Sequence, residues 1–211
     1  MDADERGIIE IAATPGIDQS GISSLLAQHF AVKRGGIFFV RAAVGPTELP
    51  PLIQLVGTVA AFAPLSVAAT AFLTRLSEKA ADASWKAIER LFSRRHKDEA
   101  AIADLASSIV KARNQMGDVG SVFFGLNFPH SHGGTVVIVS SGDARTITEA
   151  VVGFVARAED ISRVVEAEVA AGTKPSGHVR VEIDRGRVTE IHWIDQNFTV
   201  QVRPLPQQEQ Q

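Results

Sequence analysis

Apolar residues recur along the chain with two spacings, which predict two kinds of element. Strands are expected where apolar residues alternate with polar ones or fill a short run: 7–13, 35–44, 121–128, 135–140, 179–183 and 198–202. Helices are expected where the spacing is three or four: 22–30, 75–95, 98–113 and 146–172. This order of elements predicts an α+β fold in which helices pack on one side of a mixed or antiparallel sheet.

One long stretch fits neither spacing. Leu49 to Thr74 comprises 26 residues without a charged side chain, and roughly 20 apolar residues suffice to cross a bilayer as a helix. Pro64 and several polar residues interrupt the stretch, so two short helices or one kinked helix are expected rather than an ordinary spanning helix. We place this stretch in an apolar helical insert at 49–113. It is buried in the core, buried in a homo-oligomer, or in contact with a membrane.

If the stretch is exposed, it supplies an interaction surface with an apolar part and a basic part. The apolar contact is assigned to four large side chains of the expected helices: Phe62, Leu65, Phe72 and Leu76. Cations that follow on the amphipathic continuation would face acidic lipids or a partner: Arg90, Arg94, Arg95 and Lys97. The same cations also suit the negative end of a helix dipole, which is the alternative explanation.

The C-terminal third predicts a three-stranded meander. A three-residue loop at 184–186 places Val181 opposite Thr189, whereas a two-residue loop would place Val181 opposite Glu190 and is rejected. The accepted register also places His178 opposite His192. The Pro-rich and Gln-rich residues 204–211 predict a disordered tail, so a single domain is expected over 1–203.

Residues suited to chemistry are few. His130 and His132 form an H-x-H pair that could supply two ligands to Zn²⁺, but no third ligand lies in the same loop. Ser140, Ser141 and Asp143 lie between a strand and a helix, where they could bind a ligand or cap the helix. The glycines in 16–23 have phosphate-loop spacing without the lysine that would contact the phosphates, so a tight turn before a capped helix is expected.

A short segment after these histidines resembles a known motif. His132-Gly133-Gly134-Thr135 and the strand that follows resemble a motif of bacterial sensor domains related to diadenylate cyclases. The Asp-Gly-Ala and Arg-His-Arg elements associated with cyclase chemistry do not occur in the chain. We therefore assign no family on this resemblance.

Composition narrows the classes of function. A chain of 211 residues with 45% apolar content can build the core of one domain. Its net charge of −3 gives no general attraction to nucleic acid, and the absence of cysteine excludes disulfides and thiol nucleophiles. The acidic start predicts no secretory signal, so a cytoplasmic location is expected, either free or at the inner face of the membrane.

These observations favour a non-enzymatic protein. It would self-associate, dock on a protein partner or contact a membrane surface through the helical segment 49–95. The alternative is a small-ligand sensor or a metal-dependent enzyme that uses the loop at His130 and His132 together with the turn at 140–143.

Overall fold

An eight-stranded mixed sheet forms the fold. A computed structural model describes residues 7–36, 51–79, 84–92, 96–116, 120–127, 135–139 (backbone), 142–173, 175 and 178–206. The strands are Ile8–Ala13 (β1), Ala31–Arg34 (β2), Leu52–Gly57 (β3), Ser121–Leu126 (β4), Thr135–Val139 (β5), Val179–Asp184 (β6), Arg187–Ile194 (β7) and Val200–Pro204 (β8). Their order across the sheet is β2-β1-β3-β4-β5-β6-β7-β8. The predicted α+β class with a mixed sheet is confirmed.

Parallel and antiparallel pairs alternate over most of the sheet. The strand pairs β1–β2, β3–β4 and β5–β6 are parallel, and helices connect the two strands of each. The remaining neighbours, β1–β3, β4–β5, β6–β7 and β7–β8, are antiparallel. The sheet ends at β2 on one side and at β8 on the other.

Seven helices are described. They are Ser20–Leu26 (α1), Val59–Phe62 (α2), Ser66–Lys79 (α3), Trp85–Glu89 (α4), Lys97–Met116 (α5), Ala144–Ala156 (α6) and Ala158–Ala170 (α7). A 3-10 turn at Ala63–Leu65 joins α2 to α3, with Pro64 in its first positions, where the missing N–H of proline costs no hydrogen bond. Pro64 therefore causes the predicted kink between two helical segments.

The hydrophobic core lies between one face of the sheet and the helices. Strand register aligns Ile11 with Leu55 and Leu55 with Phe124 on that face. The Phe124 ring centroid lies 5.4 Å from that of Phe62 and 5.3 Å from that of Phe154 in α6. A single buried cluster extends from Ile9 to Leu205, so strands from both ends of the chain share one core.

The first part of the uncharged stretch is a strand, not a helix. Leu52–Gly57 forms β3 in the middle of the sheet, and all six of its residues are buried. Gln54 points to the face opposite Leu55 and donates from Nε2 to the carbonyl oxygen of Gly36. A short strand that is buried on both faces cannot be distinguished from a buried helix by its periodicity, and our helical interpretation of these residues was wrong for that reason.

Two further predicted elements differ in their bounds. The second strand was expected at 35–44, but β2 comprises Ala31–Arg34, and residues 37–44 lie outside the described residues. The long helix predicted over 146–172 is two helices that meet at Arg157. The N-cap of the first is Asp143, whose Oδ1 accepts from the Thr146 N–H at 2.8 Å, so this helix begins two residues before the predicted start at 146.

The meander has the two-residue loop that we rejected. Asp184 pairs with Arg187 around Arg185 and Gly186, which have φ values of 46° and 77°. A register shift between Glu182 and Ile183 then sets Val181 opposite Ile191 instead of Glu190. This bulge returns Val181 to the apolar face. We rejected the two-residue loop because we assumed a ladder without a bulge, and that step was wrong.

Two consequences of this register correct earlier expectations. Arg180 pairs with His192, so His178 does not lie opposite His192 and the second two-histidine patch does not form. The C-terminal segment is ordered beyond 203, because Pro204 ends β8 and Leu205 is buried. Arg157 also donates to the carbonyl oxygen of Pro206. Residues 207–211 lie outside the described residues.

Candidate interaction surfaces

The large apolar side chains that we assigned to an exposed contact are in the core. Phe62, Leu65, Phe72 and Leu76 are all buried, with at most 5% of any of them exposed. Phe72 stacks on Phe92 with ring centroids 3.8 Å apart. Because α3 turns this face towards α5 and α6, these four side chains are not available to a lipid or a partner. We therefore correct their assignment from contact residues to core residues.

The opposite side of the same helices is exposed and uncharged. We call it the α2–α3 outer face: Ala60, Pro64, Val67, Thr70, Ala71 and Thr74. Val67 is 80% exposed and is the one large apolar residue of this face. The helical stretch Val59–Glu78 is long and apolar enough to cross a membrane by length and composition, although 33% of its most apolar window is buried. Core helices of soluble proteins share these properties.

The predicted basic residues divide into two groups. Arg90 and Lys97 are exposed, whereas Arg94 and Arg95 lie outside the described residues.

Arg75, which follows the uncharged stretch, bonds to other parts of the fold. Its Nη2 lies 2.9 Å from the Glu99 carboxylate on α5, and its Nη1 donates to the Leu91 carbonyl oxygen. Arg75 therefore joins α3 to α5 and to the end of α4.

A second exposed apolar surface lies at the far edge of the sheet. We call it the hairpin patch: Ile194, Phe198, Val200 and Val202. Phe198 is 87% exposed and Val200 is 63% exposed. Ile194 pairs with Val200 across β7 and β8, and Val202 pairs with His192. The three strand residues of the patch therefore share the sheet face that points away from the helices, and Phe198 lies in the turn beside them.

The turn that carries Phe198 is held by one carboxylate. Asp195 accepts from the N–H groups of Asn197 and Thr199 through Oδ1, and from the Gln201 side chain through Oδ2. The hydrogen bond from the Thr199 N–H is the main reason why the pKa of Asp195 is below its usual value. Phe198 itself has φ 60°, a left-handed conformation that side chains larger than glycine adopt at a cost.

Sequence reasoning missed the hairpin patch, although one signal pointed to it. Phe198, Val200 and Val202 alternate with polar residues over the expected strand at 198–202, which marks one apolar face. In the structure their side chains point outwards because Ile191 and Trp193, which face the core, pair with Arg203 and Gln201. Gln201 and Arg203, the polar residues of β8, therefore lie on the core-facing side of the sheet, where apolar residues are usual.

The residues proposed for chemistry are only partly described. His130, His132, Ser140 and Ser141 lie outside the described residues. Asp143 is the N-cap of α6, and its hydrogen bond from the Thr146 N–H lowers its pKa. Within the part of the chain that the structure describes, no group of three or more His, Asp or Glu side chains could hold a metal ion. The zinc site at the histidine loop remains a prediction.

A cleft of about 780 Å³ opens between α1 and the edge strand β2. Its walls combine apolar residues of β1 and β2 with serines of α1, and Lys33 and Arg34 lie along it. At the start of α1, Asp18 accepts from the N–H and hydroxyl of Ser20, and the hydroxyl is the main cause of its lowered pKa. The expected tight turn before α1 is therefore closed by the Asp18 side chain. The expected cap is not found, because α1 begins at Ser20 and its N-cap, Gln19, makes no side-chain cap hydrogen bond.

Comparison with known proteins adds no family. No protein-family model, curated protein or solved structure matches the chain. The hairpin patch and the α2–α3 outer face are therefore judged on their geometry and chemistry.

Proposed function

We propose that this chain is a non-enzymatic protein that self-associates through the hairpin patch. The observation that carries the proposal is Phe198, an aromatic residue that is 87% exposed and is held at φ 60°. Residues in sparsely populated backbone conformations persist where the surrounding contacts fix them, and they cluster at functional sites. An exposed aromatic residue is also a preferred anchor of protein interfaces.

The surroundings of Phe198 support the same proposal. Ile194, Val200 and Val202 extend the apolar surface next to it, and large exposed apolar residues grouped in this way are typical of interaction sites. The turn is not loosely held, because three hydrogen bonds to Asp195 fix its shape. A fixed turn presents Phe198 with little loss of conformational freedom on binding.

Phe198→Gly tests the proposal, because it separates folding from association. Glycine adopts φ 60° without strain but adds conformational freedom to the unfolded chain, so the variant should be about as stable as the wild type while it loses the aromatic contact. Light scattering over a range of protein concentrations should show a self-associating wild type and a variant that is predominantly monomeric. Val67→Gly, which removes the exposed apolar residue of α3, is the control and should associate as the wild type does. A wild type that stays monomeric at all concentrations would refute the proposal.

The second candidate is contact with a membrane through the α2–α3 outer face. What favours it is the absence of charge over Val59–Thr74 together with the 80% exposure of Val67. Flotation with anionic vesicles tests it. Val67→Asp should remove the protein from the vesicle fraction, whereas Arg90→Ala should weaken binding more at low salt than at high salt. Equal flotation of the wild type and Val67→Asp would exclude this face.

A further inference from the structure

The two edges of the sheet differ in how they are protected. The edge strand β2 is four residues long and carries two exposed cations, Lys33 and Arg34, which are common devices against pairing with another chain. The edge strand β8 carries apolar Val200 and Val202 on its solvent face, and Pro204 at its last position is its main protective feature. The β8 edge is therefore the better site for strand addition.

The hydrogen bonds of β8 show which of its backbone groups face outwards. Leu205 N–H donates to the Thr189 carbonyl, and Asp195 N–H donates to the Thr199 carbonyl. Hydrogen-bonded and non-hydrogen-bonded pairs alternate along an antiparallel ladder. Between those two bonds, Gln201 and Arg203 therefore bond to β7, while the N–H and C=O groups of Val200 and Val202 point to the free edge. The Val202 carbonyl oxygen there accepts from Nη1 of the Arg203 side chain, and its second lone pair is left for a strand partner. Among the described residues, no strand pairs with this edge.

We propose that the partner is a second copy of this chain, joined by antiparallel pairing of the two β8 strands around Gln201. This inference rests on the proposed self-association and adds its geometry. With Gln201 on the two-fold axis, Val200 of each copy pairs with Val202 of the other. Each such pair is a hydrogen-bonded pair, so every outward N–H and C=O of these two valines finds a partner.

The neighbouring register is less favourable. An axis at Val202 would place Val200 opposite Pro204, and proline has no N–H to donate to the Val200 carbonyl. The axis at Gln201 instead brings Phe198 level with Pro204 of the other copy. It also joins the hairpin patches into one surface, because Ile194 and Val200 of one copy continue into Val202 of the other. The charged residues of β7, such as Glu190, stay in solvent.

Edge pairing buries only part of the hairpin patch. In the joined sheet the patches of the two copies lie side by side on one outer face, so the apolar area that the dimer buries is well below the roughly 800 Å² per partner of a standard stable interface. Strand pairing supplies backbone hydrogen bonds in addition to this area. We therefore expect a reversible dimer whose population depends on protein concentration.

Cross-linking tests the axis, because the chain has no cysteine of its own. Residues opposite each other in a non-hydrogen-bonded pair have Cα atoms about 4.5 Å apart, within the roughly 4.4–6.8 Å that a disulfide allows. Gln201→Cys removes the side-chain hydrogen bond to Asp195 but leaves those from the Asn197 and Thr199 N–H groups, so the turn is retained. It should form a covalent dimer with a mild oxidant, reversible by dithiothreitol. His192→Cys, one strand inwards, is the control and should stay monomeric under the same conditions. No covalent dimer of Gln201→Cys, or an equal yield from His192→Cys, would overturn the inference.

Val202→Pro gives a second readout that does not depend on a disulfide. The Val202 N–H faces the free edge, so proline removes no hydrogen bond to β7, but it removes two across the dimer. Light scattering should show a dimer weakened at least about tenfold, with the melting temperature of the monomer nearly unchanged. An unaltered dimer in this variant would place self-association on another surface. A wild type that never dimerises would instead refute the proposed function itself.

Discussion

A Cβ atom on Gly153 would lie 2.1 Å from the carbonyl oxygen of Gly186. Gly153 is in the middle of α6, and Gly186 is in the turn between β6 and β7. The two backbones are therefore in direct contact, and the absence of a side chain at Gly153 lets the helix pack against the meander. Gly186 has φ 77°, and a Cβ atom added there would lie 2.7 Å from Cδ2 of Leu73 in α3.

Gly153→Ala should destabilise the fold in spite of its better helix propensity. Alanine gains about 1 kcal/mol over glycine within a helix. Overpacking a filled core typically costs about 1–3 kcal/mol, and here backbone atoms would have to move. Urea denaturation should show a net loss of stability. Gly36→Ala, which meets no atom within 4 Å, is the control and should change little.

The buried pair of His29 and Asp104 should contribute measurably to stability. His29 Nε2 lies 2.9 Å from Asp104 Oδ2, and the two side chains are 12% and 10% exposed. The pair joins the turn after α1 to α5. His29→Ala leaves the carboxylate without this partner, so a loss of about 1–3 kcal/mol is expected in urea denaturation.

A double-mutant cycle separates the pair from the packing of its members. If the contact matters, Asp104→Ala in the His29→Ala background should cost at least about 0.5 kcal/mol less than in the wild type. Equal costs in both backgrounds would mean that the two side chains act independently.

Two nearby positions on α3 should differ in how much stability the protein loses when each is replaced by aspartate. Ala69 is fully buried and Val67 is 80% exposed. Ala69→Asp places a carboxylate in the core and should unfold the protein or cost several kcal/mol. Val67→Asp should change the free energy of unfolding by no more than about 0.5 kcal/mol. Circular dichroism and urea denaturation measure both, and a severe loss in Val67→Asp would mean that the outer face is covered.

Acid should loosen the turn at Phe198. The pKa of Asp195 is lowered, chiefly by the hydrogen bond from the Thr199 N–H. Its contribution to stability is therefore fully present above the unfolded value of about 3.9 and is lost as the pH falls through the lower folded value. Asp195→Asn cannot titrate, so the pH dependence of its unfolding should be shallower than that of the wild type below about pH 4. Identical pH profiles would show that Asp195 does not contribute.

Much of the architecture could be predicted from local pattern. The strands β1, β4 and β5 and the helix α5 lie within a few residues of their predicted bounds, because each has a clear period or ends in turn residues. The break at Arg157 was not predictable from period, since apolar residues continue through it at spacings of three and four. Arg157 is instead held by Asp160 and by the carbonyl of Pro206, which is distant in sequence.

The candidate surfaces were less predictable than the fold. An apolar pattern shows that a face avoids charge, but it does not show whether the protein's own chain covers that face. Phe72 and Val67 belong to one uncharged stretch, yet the first is in the core and the second is exposed. The hairpin patch depends on which face of β8 meets the core, and that is set by the register with β7.

The central position of β3 has a consequence for synthesis of the chain. This uncharged strand pairs with β1 on one side and with β4, at residues 121–126, on the other. While the ribosome is still making α2 to α5, β3 has its N-terminal neighbour but not its C-terminal one. An apolar strand edge is then open to other nascent chains, which is a recognised route to aggregation. The edge of β3 that β4 later covers therefore stays open until residue 126 has left the ribosome.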